Sequence, residues 1–159
     1  MNTCFLLTGG NLGDRKKTLE QASDMVEKNI GVIAARSSVY QTAAWGKTDQ
    51  PDFLNQVLKV KTSLTPQELI DEILKIEKSL GRERQEKYGP RLIDIDILFF
   101  DNEVIKSKSL TIPHPQLHNR RFVLVPLNEI APRFIHPVLK KSIAQLLLEC
   151  PDKLDVNKI

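Results

Sequence analysis

Two cysteines and one tryptophan among 159 residues leave little material for several kinds of site. Cys4 and Cys150 are too few and too far apart for a disulfide framework or a zinc motif, so both are expected as free, buried thiols in a reducing compartment. No apolar run reaches the roughly 18 residues that a membrane-spanning helix needs. The opening MNTCFLLTGG has neither the basic leader nor the long apolar stretch of a secretory signal. A cytoplasmic location is the expectation. An excess of one charge is also lacking. The net +3 from 23 Lys and Arg against 20 Asp and Glu suits an anionic small molecule and falls short of a nucleic-acid footprint. The familiar phosphate loops are missing as well. Gly9, Gly10 and Gly13 in TGGNLGD do not fit G-x-G-x-x-G, and no G-x-x-x-x-G-K-[ST] occurs. These glycines read as turn formers, Gly13 above all. Any bound phosphate must then be held by side chains and metals.

What is present, with 41% hydrophobic residues, fits one globular domain over residues 1–159 with a full core. Residues 3–8 read as a buried strand stopped by Gly9 and Gly10. A helix follows, with Asp14 as N-cap, Leu19, Ala22, Val26 and Ile30 near a 3.6 period, and Gly31 as stop. Residues 32–42 read as a second strand and 53–62 as a third, with Leu54, Leu58 and Val60 on one face and Phe53, Asn55 and Val57 on the other. Thr65, Pro66 and Glu68 mark a capped helix with the stripe Leu69, Ile73, Ile76, Leu80, ended by Gly81. The charged segment GRERQEKYGPR reads as a mobile loop before a strand at 93–100. FFDNEVI turns at Asp101-Asn102 into a short hairpin partner. A helix is expected around 115–128 and another in SIAQLLLEC, with a loose tail after it. The order strand, helix, two strands, helix, strand predicts an α+β, ferredoxin-like antiparallel sheet with helices packed on it and additional C-terminal elements.

The chemistry concentrates in YGPRLIDIDILFF. Alternation along a strand puts Asp94, Asp96, Leu98 and Phe100 on one face and Ile93, Ile95, Ile97 and Phe99 on the other. Two carboxylates about 6.6 Å apart on an otherwise apolar strand need cations beside them. Asp94 and Asp96 after the basic Arg82, Arg84, Lys87 and Arg91 suggest Mg²⁺ carrying a nucleotide. On D-x-D alone the plainer reading is a half-exposed pair bonded to Arg91 or lysines. The arginine-rich loop directly before it favours metal. His114 and His118 are four apart, but Pro113 and Pro115 flank His114, which therefore precedes any helix. Zinc is discounted, and His114 is a candidate phosphate donor. Phe53 and Asn55 share a strand face, a flat apolar surface beside an amide that can read a heterocycle edge. Phe122 follows Arg120 and Arg121. Each phenylalanine taken alone reads as core.

KYGPRLIDIDIL resembles the signature of the 6-hydroxymethyl-7,8-dihydropterin pyrophosphokinases of the folate pathway. TGGNLGDR, SSVYQTAAWG, QPDFLNQV, GRERQEKYGPRLIDIDILFF and LTIPHPQLHNRRFVLVPLNEIAP extend the likeness, in order, over nearly the whole chain. The resemblance implies transfer of the β,γ-pyrophosphoryl group of ATP to the pterin hydroxymethyl oxygen, releasing AMP. It implies that Asp94 and Asp96 hold two Mg²⁺ and that Arg82 and Arg91 contact phosphate, with Arg91 stabilising transition-state charge. Arg84, Thr111, His114 and Arg120 match further ATP contacts, the backbone of Ile97 lies near the adenine, and Glu77 matches a position near the nucleotide. Glu77 reads equally as an ordinary helix-surface acid. The pterin stacks between Phe53 and Phe122, with Asn55 and the main chain of Thr42, Ala43, Ala44 and Trp45 reading its polar edge. A monomer that uses small molecules, and neither nucleic acid nor membrane, is implied, with association with a neighbouring folate enzyme left open.

Departures from the family pattern are Gly10 for a serine, Tyr88 for a tryptophan, Phe53 for a tyrosine, and Ser109 for an arginine that contacts ATP. Either that phosphate or ribose contact is lost or Lys108 or Lys106 supplies it. An RNA-binding module is disfavoured, because the RNP1 pattern is missing and two acids on a sheet face repel phosphates. A metal-dependent phosphohydrolase would share D-x-D without needing the aromatic pair or Asn55.

Overall fold

The computed structural model describes residues 1–43, 50–81 and 92–159. Strand β1 (Asn2–Gly10) runs through the first apolar segment. Asp14 accepts the Lys17 amide with its side chain and opens helix α1 (Arg15–Asn29), which buries Leu19, Ala22 and Val26 as the periodicity predicts. Gly13 is left-handed (φ 66°), the turn role expected for it. The single strand expected at 32–42 is two, β2 (Gly31–Arg36) and β3 (Tyr40–Thr42), and both pair with β4 (Phe53–Thr62). The break comes from Ser37. Its hydroxyl accepts the Val57 amide at 2.9 Å while its own amide donates to the Val57 carbonyl. A side chain thus occupies a ladder position, which hydrophobic alternation cannot register.

Helix α2 (Pro66–Ser79) has both bonds of the Thr65/Glu68 capping box and buries Leu69, Ile73 and Ile76. Strand β5 (Asp94–Phe100) follows. The hairpin partner expected for it goes elsewhere. The chain turns at Asp101 (φ 49°), whose carboxylate and amide both bond the Thr3 backbone. It then pairs β6 (Ile105–Lys106) with β7 (Thr111–Ile112) as a separate two-stranded sheet. The helix expected at 115–128 is a 3-10 turn, Leu117–Asn119, then α3 (Arg121–Ile130). Arg120 between them is extended, which separates the two. Helix α4 (Ile143–Glu149) is capped by Ser142. The tail is not loose: β8 (Val156–Lys158) pairs antiparallel with β3, filling an edge whose amides would otherwise lack partners.

The sheet order is β5-β1-β4-β3-β8, with β2 also on β4. Each named pairing is antiparallel, the ferredoxin-like arrangement predicted from element order. One face carries Leu6, Leu54, Leu58, Val60, Ile93, Ile95 and Ile97 into an apolar core with α1 and α2. The opposite face packs Phe5, Leu7, Val57 and Leu98 against α3 and α4. Between β1 and β5 the register shifts, so that Leu6 pairs with Ile97 and Phe5 with Phe99 while Leu98 has no partner of its own. This bulge reverses the parity beyond it. Phe99 joins Leu98 on the α3/α4 face and Phe100 joins the isoleucines, opposite to the simple alternation.

Candidate active site

Strand pairing alone assembles most of the site. Gly9 pairs with Asn55 on one side and Asp94 on the other, and Asn55 pairs in turn with Tyr40. Paired residues in an antiparallel ladder share a face, so Asp94, Asn55 and Tyr40 face α3, with Asp94 and Asn55 two strands, or about 10 Å, apart at Cα. On the same face Asp96 lies two residues along in one direction, level with Leu7, and the Thr42–Phe53 pair two residues along in the other. Gly9 between Asp94 and Asn55 has a packing reason. A Cβ there would sit 2.0 Å from Asn55 Nδ2, so the missing side chain is what lets the amide lie across β1. The sequence reading took Gly9 as a strand stop and missed this role.

Asn55 and Thr42 are 5% and 3% exposed. Asn55 Oδ1 and Thr42 Oγ1 are both buried without a hydrogen-bond partner among the described residues. Each such atom costs on the order of 1–3 kcal/mol unless a ligand or water satisfies it. Phe53 and Phe122 are half-buried, and the Arg120 guanidinium carbon lies 5.9 Å from the centre of the Phe122 ring, within cation–π range. Ala43 is exposed. Ala44 and Trp45 lie outside the described residues. Residues 50–52 are held by two side chains from the first motif, Asn11 and Arg15. Buried Asn11 donates to Gln50 Oε1 and the Pro51 carbonyl, and Arg15 donates to the Asp52 carbonyl. Their place in TGGNLGDR, beside two glycines, was the available signal.

Asp94 and Asp96 are half-buried, with the Ile95 amide between them donating to Glu77 Oε2 at 2.7 Å. Glu77 is only 6% exposed. The surface-acid reading of Glu77 therefore fails: this carboxylate reaches from α2 to the outer edge of β5 and fixes the backbone between the two aspartates. Further along the strand the His114 amide donates to the carbonyl of bulged Leu98 at 3.1 Å. His114 Nδ1 accepts the Gln116 amide, which leaves the ring proton on Nε2 in the neutral form. Burial, aided by the Arg120 charge, lowers the imidazole pKa to about 4. At neutral pH the ring is an uncharged Nε2–H donor. Ile97 is buried on β5, while Thr111 is exposed and pairs with Lys106. Arg82, Arg84 and Arg91, and with them the expected mobile loop, lie outside the described residues.

The donor set fits Mg²⁺. Two carboxylates of one strand face are hard oxygen donors, and among the described residues no cluster of three or more His, Cys, Asp or Glu could hold a metal. Such a pair leaves most coordination positions to substrate oxygens and water, which is how Mg²⁺ is commonly bound. His114, in a loop, and His118, in the 3-10 turn, do not share a helix face. Cys4 is buried, and desolvation, with repulsion from Asp101, pushes its thiol up to about 12, so it is no nucleophile. His136 is structural: its Nδ1 accepts the Val138 and Leu139 amides and its ring meets the Phe99 ring edge-on.

Residues 5–132 match the family model of 7,8-dihydro-6-hydroxymethylpterin-pyrophosphokinase. The chain is 47% identical over 145 residues to the 2-amino-4-hydroxy-6-hydroxymethyldihydropteridine pyrophosphokinase of Aquifex aeolicus, covering 91% of this chain and 90% of the relative. It is 42% identical to the enzyme of that name from Bacillus subtilis, covering 81% and 78%. In fold it is similar to a crystal structure of Plasmodium falciparum HPPK-DHPS (TM-score 0.75, 22% identity), with 94% of this chain matching 43% of that one. The motifs, the sheet and these likenesses agree, and the chain belongs to the 7,8-dihydro-6-hydroxymethylpterin-pyrophosphokinase family.

Proposed function

We propose that residues 1–159 act as one pyrophosphokinase domain that transfers the pyrophosphoryl group of ATP to 6-hydroxymethyl-7,8-dihydropterin, and that the α3 side of the sheet is where it does so. The reaction is the family's. One observation carries the choice of site. Asn55 Oδ1 and Thr42 Oγ1, buried and without partners among the described residues, share a sheet face with the carboxylates of Asp94 and Asp96. A heterocycle edge rich in N–H groups is what such atoms need. Phe53 and Phe122 supply the stacking surfaces, and the Thr42–Trp45 main chain supplies further polar groups.

The nucleotide lies along the outer edge of β5. Glu77 and the His114 amide already fix the backbone there, and the Ile97 backbone faces the adenine. Neutral His114 donates from Nε2 to a phosphate oxygen without adding charge. Arg84, Thr111 and Arg120 contribute further ATP contacts, and Arg82 and Arg91 contact phosphate, with Arg91 stabilising transition-state charge. Asp94 and Asp96 hold two Mg²⁺. When bound, Mg²⁺ neutralises phosphate charge and orients the two reactants. The pterin hydroxymethyl oxygen bonds to the β-phosphorus and releases its proton to solvent as the bond from that phosphorus to the α-phosphate oxygen breaks, leaving AMP.

Lys106 pairs with Thr111 on the β6–β7 hairpin, which makes it a better substitute than Lys108 for the arginine that Ser109 replaces. This reading describes a cytoplasmic monomer with small-molecule substrates. Among the described residues no helix is long and apolar enough to cross a membrane. Contact with a neighbouring folate enzyme is part of the proposal. The test is to mix protein, Mg²⁺, ATP and 6-hydroxymethyl-7,8-dihydropterin and identify the nucleotide product. Pterin-dependent AMP is expected, and ADP would overturn the reading.

A further inference from the structure

We propose that Glu129 is a positioning residue for the pterin: from the last turn of α3 it clamps that helix to the start of β3 and so sets Phe122 relative to Asn55 and Thr42. The inference rests on the pterin reading of those residues. Glu129 Oε1 accepts the Tyr40 hydroxyl at 2.6 Å and the Ser38 amide at 3.0 Å, and Oε2 accepts the Ser38 hydroxyl at 3.0 Å. Both carboxylate oxygens are engaged, and their partners belong to one short segment where β2 has ended and β3 begins.

The connectivity gives this clamp its reach. Tyr40 pairs directly with Asn55, and Thr42, two residues on, pairs with Phe53. Phe122 and Glu129 sit on one ten-residue helix, about 10 Å apart along its axis. A single carboxylate therefore joins the element carrying one aromatic platform to the strand pair carrying the other platform and both orphaned polar atoms.

Two features argue that Glu129 does more than decorate the surface. A carboxylate in the last helical turn opposes the helix dipole, and α3 has no basic residue in that turn to offset it. Tyr40 is also only 6% exposed, so its hydroxyl depends on this acceptor. The carboxyl is held below its ordinary range: burial opposes the shift, and the Tyr40 and Ser38 bonds with the Lys158 charge outweigh it.

The test is a double-mutant cycle read in pterin affinity and in steady-state kinetics. Glu129→Ala is expected to raise the pterin KM about tenfold, with kcat and the ATP KM within about twofold. Glu129→Gln, which keeps one acceptor oxygen, is expected to restore part of the loss. Should Glu129→Ala not fold, Tyr40→Phe removes one bond of the clamp and takes its place. In a Phe122→Ala background the Glu129 effect on pterin affinity should largely vanish, because the platform it positions is gone. Additive losses, or equal losses for pterin and ATP, would overturn the inference. No effect of Phe122→Ala alone on pterin binding would instead overturn the aromatic assignment, and this inference with it.

Discussion

The two faces of the sheet are built from the same strands and differ in what they leave unfinished. On the α1/α2 face, Leu6, Leu54, Leu58 and Ile95 are each at most 3% exposed within one apolar cluster. One rung across, the α3 face starts as core with Phe5, Leu7 and Val57. It ends in Asp94, Asp96, Asn55 and Thr42, and Asn55 Oδ1 and Thr42 Oγ1 on these strands are buried without hydrogen-bond partners among the described residues, whereas on the other side the one such atom is Ser23 Oγ, on helix α1 and not on the sheet. The closed face supplies stability through area removed from water. The open face spends part of that stability on polar groups that await a ligand or water. A parity of one residue along β4 or β5 decides which task a side chain has.

The sharpest way to break this contrast is to exchange the expected effects. Asp96→Ala is expected to lower kcat about a thousandfold or more, the scale of losing a group that stabilises transition-state charge, with the melting temperature nearly unchanged. Retained turnover would remove the carboxylate pair from the chemistry. Leu58→Ala, on the closed face, is expected to do the opposite. Its cavity should cost about 2–5 kcal/mol in denaturant unfolding, while both KM values stay put at a temperature where the variant is folded. A selective change in pterin KM would show that the faces are not separable.

Gly9→Ala probes the join between them. Its methyl would meet Asn55 Nδ2, and relieving that contact should displace the amide at a cost of about 1–3 kcal/mol. The expected signature is a pterin KM raised about tenfold or more with the ATP KM unchanged. Calorimetric titration of each ligand alone would check it, and equal losses for both ligands would point to a general distortion of β1.

What could be read from sequence follows the same division. Local codes were legible: the Asp14 and Thr65 caps, the α2 stripe and the strand faces of β4 all depend on neighbours within one turn or one pleat. The ferredoxin-like order followed from them. Features that depend on a distant partner were not legible. The Leu98 bulge exists only against β1, the Ser37 break only against Val57, and β8 only because β3 offers an edge. For Glu77 the residues alone leave a surface acid and a nucleotide-side position equally open, because the Ile95 amide it accepts is 18 residues away. Asp94, Asp96, Phe53 and Asn55 stood out as polar or flat groups in apolar strands. Gly9, Asn11 and Glu129 did not, since their roles lie in what they make room for or hold in place.

His114 offers the smallest effect and the finest distinction, because its backbone amide is tied to the Leu98 carbonyl of β5 while its ring Nδ1 accepts the Gln116 amide. Burial, with the Arg120 charge beside it, lowers its folded pKa to about 4 from the ordinary 6.5. Between those values the unfolded chain binds a proton that the folded chain does not, so folding stability is lost as pH falls from about 6.5 towards 4. The slope from one such group cannot exceed about 1.4 kcal/mol per pH unit. His136 is shifted the same way, so wild type must be compared with His114→Gln in urea unfolding at several pH values. The variant should show a shallower loss on the acid side. From pH 6 upward the ring is already neutral, so the ATP KM ratio of variant to wild type should stay flat to pH 8. An inflection near 6.5 in that ratio would mean that the imidazolium meets the nucleotide, and that the Nε2–H donor role assigned to His114 is wrong.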